Sequence, residues 1–161
     1  MLLIFTLKPG GNYMRKTEFR GKIINTWDRN KNTGDWVYGN LIQNEDASFI
    51  VEKVKDSFIG YCDDCDRVFA NIYRVDEKTI GQYTGVRDIY QIRIFEGDIV
   101  AYDEDVNTGR GYSKKRKITG IVRYVNNRFL ICDMIDEEFI LKYNFESCRV
   151  IGNESTLDNR G

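Results

Sequence analysis

The sequence predicts a mainly β protein, and three observations carry that prediction. Its 161 residues are 42% apolar and include ten tyrosines, nine phenylalanines and two tryptophans, enough to furnish a core. Aromatic and β-branched side chains gather in short runs, which favours strands over helices. One proline against fourteen glycines indicates turns built on residues that accept positive φ.

The first half of the chain contains several predicted strands. Residues 18–24 and 36–42 read as a hairpin around a polar loop at 27–34. Shorter runs at 48–54, 58–61 and 68–75 also favour strands, although the mixed periodicity of residues 47–57 leaves a helix open there. Residues 78–85 contain the turn-like sequence Gly-Gln-Tyr-Thr-Gly, predicted to link two halves of the molecule.

The second half predicts a small barrel. A tight turn at Glu96-Gly97-Asp98 leads into an apolar strand at 99–102, which is the way many SH3-like barrels begin. Strands at 119–125 and 128–133 flank Asn126-Asn127, a pair that suits a two-residue hairpin turn. Runs at 139–143 and 148–151 would complete about five strands. The predicted fold is therefore an SH3-like barrel in the C-terminal half, packed with an N-terminal β subdomain.

These elements divide the chain into four parts. Residues 1–13 are predicted to be a flexible arm or a start-site artefact, because Met14 is followed at once by Arg15 and Lys16 and could be the natural start. Residues 14–85 form the N-terminal subdomain, 86–153 the barrel, and 154–161 a frayed tail. No apolar run approaches the roughly 20 residues that span a bilayer, and the opening apolar run lacks a basic n-region. We expect no membrane contact and a cytoplasmic location.

Five short motifs occur in a telling order along residues 15–153. They are Phe19-Arg20-Gly21-Lys22, Trp36-Val37-Tyr38-Gly39, Thr79-Ile80-Gly81-Gln82-Tyr83-Thr84-Gly85, Phe95-Glu96-Gly97-Asp98-Ile99-Val100 and Val150-Ile151-Gly152-Asn153. In this order the chain resembles the YopX family. The resemblance implies phage or prophage coding, a mainly β fold and no established biochemical activity. Residues 86–93 depart from the family pattern, which has a glycine-containing turn there.

Composition excludes several enzyme classes. The chain has no histidine, which excludes Ser-His-Asp and Cys-His nucleophiles, the HExxH zinc site and the usual proton shuttle. It also lacks the two glycine-rich phosphate-binding motifs, GxxxxGK(S/T) and GxGxxG. A carboxylate-pair hydrolase stays open in principle, but Glu96 and Asp98 are better explained as turn residues. We expect a protein that is not an enzyme and uses no cofactor.

A basic segment is the first of two candidate sites. With 24 Lys and Arg against 25 Asp and Glu, any nucleic-acid binding must come from a local patch. The predicted loop between two barrel strands supplies cations and a tyrosine for phosphate contact and base stacking. Its candidate residues are Arg110, Tyr112, Lys114, Lys115, Arg116 and Lys117. The alternative is a solvated loop whose charge Asp103, Glu104 and Asp105 balance.

A pair of cysteines is the second candidate. Cys62 and Cys65 form a CxxC that could hold half of a tetrahedral zinc site, which Cys132 and Cys148 could complete if the fold joined them. The neighbouring aspartates disfavour a redox role because they raise thiol pKa values. Surface cysteines in a polar turn are the preferred interpretation.

The sequence as a whole predicts an accessory protein that acts by binding. Its partner is an unknown protein or a second copy, since an open β module must cover its strand edges. Nucleic-acid binding through residues 110–117 is the alternative, and a carboxylate-pair hydrolase comes last.

Overall fold

The computed structural model describes residues 17–53, 70–107, 113–133, 139–140 and 145–156 of the chain. Its strands are β1 (Phe19–Asn25), β2 (Trp36–Gln43), β3 (Ser48–Lys53), β4 (Ala70–Val75), β5 (Gly81–Arg87), β6 (Arg93–Phe95), β7 (Asp98–Asn107), β8 (Ser113–Val125), β9 (Arg128–Asp133), β10 (Phe139–Ile140) and β11 (Arg149–Asn153). Short 3₁₀ turns lie at Glu77–Thr79, Phe145–Ser147 and Glu154–Thr156. The prediction of a mainly β fold is confirmed. No helix in the described part of the chain is long and apolar enough to cross a membrane.

The N-terminal strands close into a four-stranded barrel. Its antiparallel pairings run from β1 to β2, β2 to β3, β3 to β4 and β4 back to β1. Closure requires strands that change partner: β2 pairs with β1 up to Gly39 and with β3 from Asn40 onward. Gly39 permits this corner, because a Cβ there would lie 2.0 Å from the carbonyl oxygen of Val51. β5 and β6 extend the sheet beyond β1.

The C-terminal strands form a second, antiparallel sheet in the order β10-β9-β8-β7-β11. Asn126 and Asn127 make the predicted two-residue turn between β8 and β9, with φ of 51° and 63°. No pairing among the described strands joins β10 to β11, so the SH3-like character of this half stays a prediction. Glu154–Thr156, part of the predicted frayed tail, is a 3₁₀ turn anchored by an ion pair of 2.6 Å between Arg123 and Glu154.

Two apolar cores lie inside these layers. The barrel encloses Ile23, Val37, Ile50, Tyr73 and Val75. The second core packs Val100, Tyr102, Ile118, Val122 and Ile131 against Phe145, Cys148 and Ile94. Since Ile94 belongs to β6, the strand that extends the N-terminal sheet also contributes to the C-terminal core. The two halves of the chain are thus packed together through β6.

A buried ion pair also joins the halves. Arg20 on β1 donates from Nη2 to Asp98 Oδ1 on β7 at 2.5 Å, and its guanidinium lies 4.5 Å from the Trp36 ring centre and 4.7 Å from that of Phe95. Asp98 Oδ2 accepts from the Phe95 N–H at 2.8 Å, a backbone hydrogen bond that fits the prediction of Asp98 as a turn residue. Burial raises the pKa of the Asp98 carboxyl above its ordinary value, while Arg20 acts in the opposite direction.

One predicted turn is a strand. Residues 78–85 were expected to form a linker, but Gly81–Arg87 is β5, which pairs with β1 and β6. Two of its glycines have structural roles. A Cβ on Gly81 would lie 2.3 Å from the Glu96 carbonyl oxygen, so glycine allows close packing there. Gly85 has φ of +89° and lies where the β5–β6 register shifts. Turn-like composition is therefore a sign of a bulged strand here. For residues 47–57, the strand alternative is confirmed over Ser48–Lys53, and the strand predicted at 58–61 lies outside the described residues.

Candidate functional site

The turn between β5 and β6 is fixed by a single buried carboxylate. Asp88, only 1% exposed, accepts from the backbone N–H groups of Tyr90 and Ile92 through Oδ1, at 2.8 and 2.9 Å, and from that of Val150 through Oδ2, at 3.0 Å. The Ile89 N–H donates to the Cys148 carbonyl at 3.0 Å. These hydrogen bonds therefore order the turn internally and also join it to the segment of the chain that contains β11.

The turn still needs one residue with positive φ. Gln91 is that residue, with φ of 64°. Its carbonyl accepts from the Arg87 guanidinium at 2.6 Å, and its N–H donates to the Asp88 carbonyl at 2.9 Å. These bonds hold the Gln91 backbone in a conformation that glycine would adopt without steric cost.

This ordered turn presents apolar side chains to water. Ile89 is 49% exposed, Tyr90 66% and Ile92 49%, all within four consecutive residues. Single exposed apolar residues are ordinary on protein surfaces, but a cluster of them is typical of a contact site. Because the backbone beneath them is already ordered, this turn would lose little conformational entropy when a partner binds.

A cleft of about 680 Å³ lies on the barrel side of the same hairpin. It is lined by residues of β2, β3, β5 and β6 and of the segment before β1, including Tyr38, Tyr83 and Arg93. The Arg93 guanidinium lies 4.6 Å from the Tyr38 ring centre and forms an ion pair of 2.6 Å with Glu18. Arg87, exposed at the base of the turn, also lines the cleft and so connects it to the apolar turn.

Tyr38 and Tyr83 line this cleft, and the buried Phe95 ring packs against both of them. The Phe95 ring centre lies 5.6 Å from that of Tyr38 and 5.4 Å from that of Tyr83, both in tilted geometry. These rings come from the motifs at residues 36–39, 79–85 and 95–100. Three of the five motifs that carry the family resemblance thus contribute aromatic rings that pack together, and two of these rings line the cleft. We call the turn 89–92 and this cleft together the hairpin surface.

The hairpin surface carries both signs of charge. Glu18 and Glu52 line the cleft together with Arg87 and Arg93. A phosphate backbone approaching the two arginines would therefore also meet two carboxylates. A polypeptide, which carries both charges and apolar side chains, fits this lining better.

Part of the predicted basic site lies in a different secondary-structure element from the one expected. Lys114–Lys117 belong to strand β8 and not to a loop, and the register sets Lys115 opposite Asp105, Arg116 opposite Glu104 and Lys117 opposite Asp103. The side chains of Lys115, Arg116 and Lys117 are exposed. Arg110 and Tyr112 lie outside the described residues. The acidic partner strand matches the alternative of locally balanced charge, in a paired hairpin and not in a loop.

Of the predicted zinc ligands, Cys132 and Cys148 lie in the described part of the chain. Cys62 and Cys65 lie outside the described residues, so the proposed metal site stays a prediction. Cys148 is buried in the C-terminal core, and Cys132 is half-buried on β9. In the described part of the chain, no group of three or more Cys, Asp or Glu side chains is arranged to hold a metal.

The comparisons with known proteins give one match. The pattern of the YopX protein family matches residues 26–154, which include the hairpin surface apart from its first residues. No curated protein and no solved structure matches the chain.

Proposed function

The chain belongs to the YopX protein family, and we propose that this member acts by binding a protein partner through the hairpin surface, without catalysis. The observation that carries the proposal is the exposure of Ile89, Tyr90 and Ile92 on a turn whose backbone is held by the buried Asp88. Transferring three such side chains from water to a partner is favourable, at roughly 25 cal/mol per Å² of apolar area.

The composition of the surface supports a protein as the partner. Its apolar centre is flanked by tyrosines and arginines, residue types that are enriched in protein interfaces and dominate their binding energy. The mixed charge at the rim would orient a polypeptide, and it disfavours a nucleic acid for the reason given above. The same proposal includes phage or prophage coding, which the resemblance implies, and an accessory role in the cytoplasm.

The test compares two double variants with equal loss of exposed apolar surface. Ile89→Ser/Ile92→Ser alters the hairpin surface, whereas Ile24→Ser/Ile42→Ser alters comparably exposed isoleucines on β1 and β2. Each protein is examined for self-association by light scattering, and is used as bait in an extract of phage-infected bacterial host cells. We expect the wild type and the control variant to retain the same protein partner, a second copy or another chain, and the hairpin variant to lose it.

Two results would count against the proposal. A partner retained equally by the hairpin variant would place the interface elsewhere on the chain. Retention of nucleic acid that weakens steeply with salt, and is lost on Lys115→Ala/Arg116→Ala/Lys117→Ala, would favour the basic segment of β8 instead.

A further inference from the structure

Trp27 occupies an unusual position beside a polar cavity. Its side chain is 97% exposed, so the indole contributes almost nothing to the fold, whereas Trp36 is half-buried against Arg20. The cavity next to it measures about 650 Å³ and lies at the end of β1 and the start of the following loop, against β4. A large exposed aromatic ring at the mouth of a cavity is available as a stacking platform.

The cavity lining consists mostly of hydrogen-bonding groups. Three asparagine amides supply both donors and acceptors, and Ile72, 62% exposed, adds an apolar patch. The residues that line it are Asn25, Thr26, Trp27, Asp28, Asn30, Asn71, Ile72 and Tyr73. Such a lining is suited to a small ligand that has hydroxyl groups on its rim and C–H groups on its faces.

Asp28 gives the cavity one fixed acceptor. Its carboxylate accepts from the Asn30 N–H at 2.9 Å and from the Tyr73 hydroxyl at 2.7 Å, while its own N–H donates to Thr26 Oγ1 at 3.0 Å. The hydrogen bond from Asn30, followed by that from Tyr73, lowers the pKa of Asp28, so the carboxylate is ionised at neutral pH. Each oxygen retains a lone pair that a ligand hydroxyl could use.

The charge of the lining discriminates between ligand classes. Among the described residues that line the cavity, Asp28 is the only ionised side chain and none is a lysine or arginine. The nearby Lys31, over the Tyr73 ring, is 3.9 Å from the Glu52 carboxylate. A nucleotide could stack its base on Trp27, but its phosphate would be repelled by Asp28 and would meet no cation among the described lining residues.

From these observations we propose that the cavity beside Trp27 binds a neutral saccharide. A pyranose ring would lay its C–H face on the indole and direct its hydroxyl groups to Asp28 and the asparagine amides. The open cavity and a single aromatic platform suggest a modest dissociation constant, on the order of 1 mM for a short oligosaccharide. This site is separate in position and chemistry from the hairpin surface.

The test is a titration of the ¹⁵N-labelled full chain with maltotriose, cellotriose and chitotriose, and with AMP as a charged stacking ligand. We expect at least one trisaccharide to shift the Trp27 indole N–H and the side-chain amides of Asn25, Asn30 and Asn71, with AMP much weaker. Trp27→Ala should raise the dissociation constant roughly tenfold or more, and Asp28→Asn by several-fold, since each removes one major contact.

The variants and the ligand panel also define what would overturn the proposal. Because Trp27 is almost fully exposed, Trp27→Ala is expected to fold normally, and unchanged backbone shifts elsewhere would verify this. Absence of shifts with all three trisaccharides, equal binding by Trp27→Ala, or stronger binding of AMP would each contradict a saccharide site.

Discussion

The Asp88 carboxylate accepts a hydrogen bond from the Val150 N–H at 3.0 Å, across a separation of 62 residues in the chain. The other oxygen of the same carboxylate holds the turn that exposes Ile89, Tyr90 and Ile92. One buried side chain therefore both shapes the apolar turn and fastens it to β11. The order of the proposed binding surface depends on this residue.

Asp88→Asn is expected to loosen the turn without removing its apolar residues. An amide can present one oxygen, but its NH₂ group faces the remaining backbone donor, so at least one buried N–H loses its partner. We expect the free energy of unfolding to fall by about 1–3 kcal/mol. Amide hydrogen exchange of Tyr90 and Ile92 should accelerate together with this loss. Asp46→Asn, at an exposed aspartate, serves as the control and should change neither quantity.

Asp98→Asn is expected to lower the free energy of unfolding by more than Asp88→Asn does. It leaves the Arg20 guanidinium buried without its counter-ion at the junction between the two halves of the chain. Loss of one partner of a buried pair costs about 3–5 kcal/mol, and chemical denaturation measures it. The double variant Arg20→Met/Asp98→Leu should recover much of the loss, since it removes both charges. A single variant as stable as the wild type would show that the pair does not stabilise this junction.

Two glycines provide a matched test of barrel closure. Gly39→Ala would place a Cβ 2.0 Å from the Val51 carbonyl oxygen, and that backbone cannot move without disturbing the β2–β3 pairing. We expect a loss of at least about 1–3 kcal/mol. In Gly152→Ala, the nearest atom is Ile99 Cδ1 at 3.7 Å, and the loss should be below about 0.5 kcal/mol. Thermal denaturation compares them, and equal losses would contradict the described corner at Gly39.

The Tyr73 hydroxyl should lose its proton at a higher pH than an ordinary tyrosine. Burial, followed by the hydrogen bond to the Asp28 carboxylate, raises its pKa from 10 to about 12. A pKa raised on folding contributes stability that is fully present below pH 10 and is lost as pH rises towards 12. The Tyr73 Cζ chemical shift, followed by NMR with Tyr73→Phe for assignment, measures this pKa. Titration at pH 10 would mean that the phenol is neither buried nor bonded to Asp28.

Local patterns predicted much of the fold. Short runs of aromatic and β-branched residues located β1, β2 and β3, and the Asn126-Asn127 pair located the β8–β9 turn, because these signals depend on neighbouring residues alone. The closed N-terminal barrel could not be predicted this way. It depends on strands that change partner at Gly39 and on the contact of β1 with β4, both of which are long-range. The same holds for β5, whose glycines suggested a turn.

The site was harder to predict than the fold. The clustered charges at Lys114–Lys117 predicted a nucleic-acid site from the sequence. The register that sets acidic residues opposite them depends on strand pairing, which local sequence does not show. The apolar turn was missed, since Ile89 and Ile92 look like core residues until Asp88 is seen to occupy the interior in their place. One signal was nevertheless present: residues 86–93, which include Asp88 and the two isoleucines, depart from the pattern that the resemblance implies.

Site-specific photo-crosslinking tests the central claim most directly. A benzophenone side chain replaces Tyr90 on the hairpin surface, or Tyr124 on β8 as an exposed control, in the full chain expressed in phage-infected bacterial host cells. We predict one discrete protein adduct from position 90 that is absent from position 124 and is lost when Ile89→Ser/Ile92→Ser is added. No adduct at position 90, or the same adduct from both positions, would contradict a protein interface on the hairpin surface.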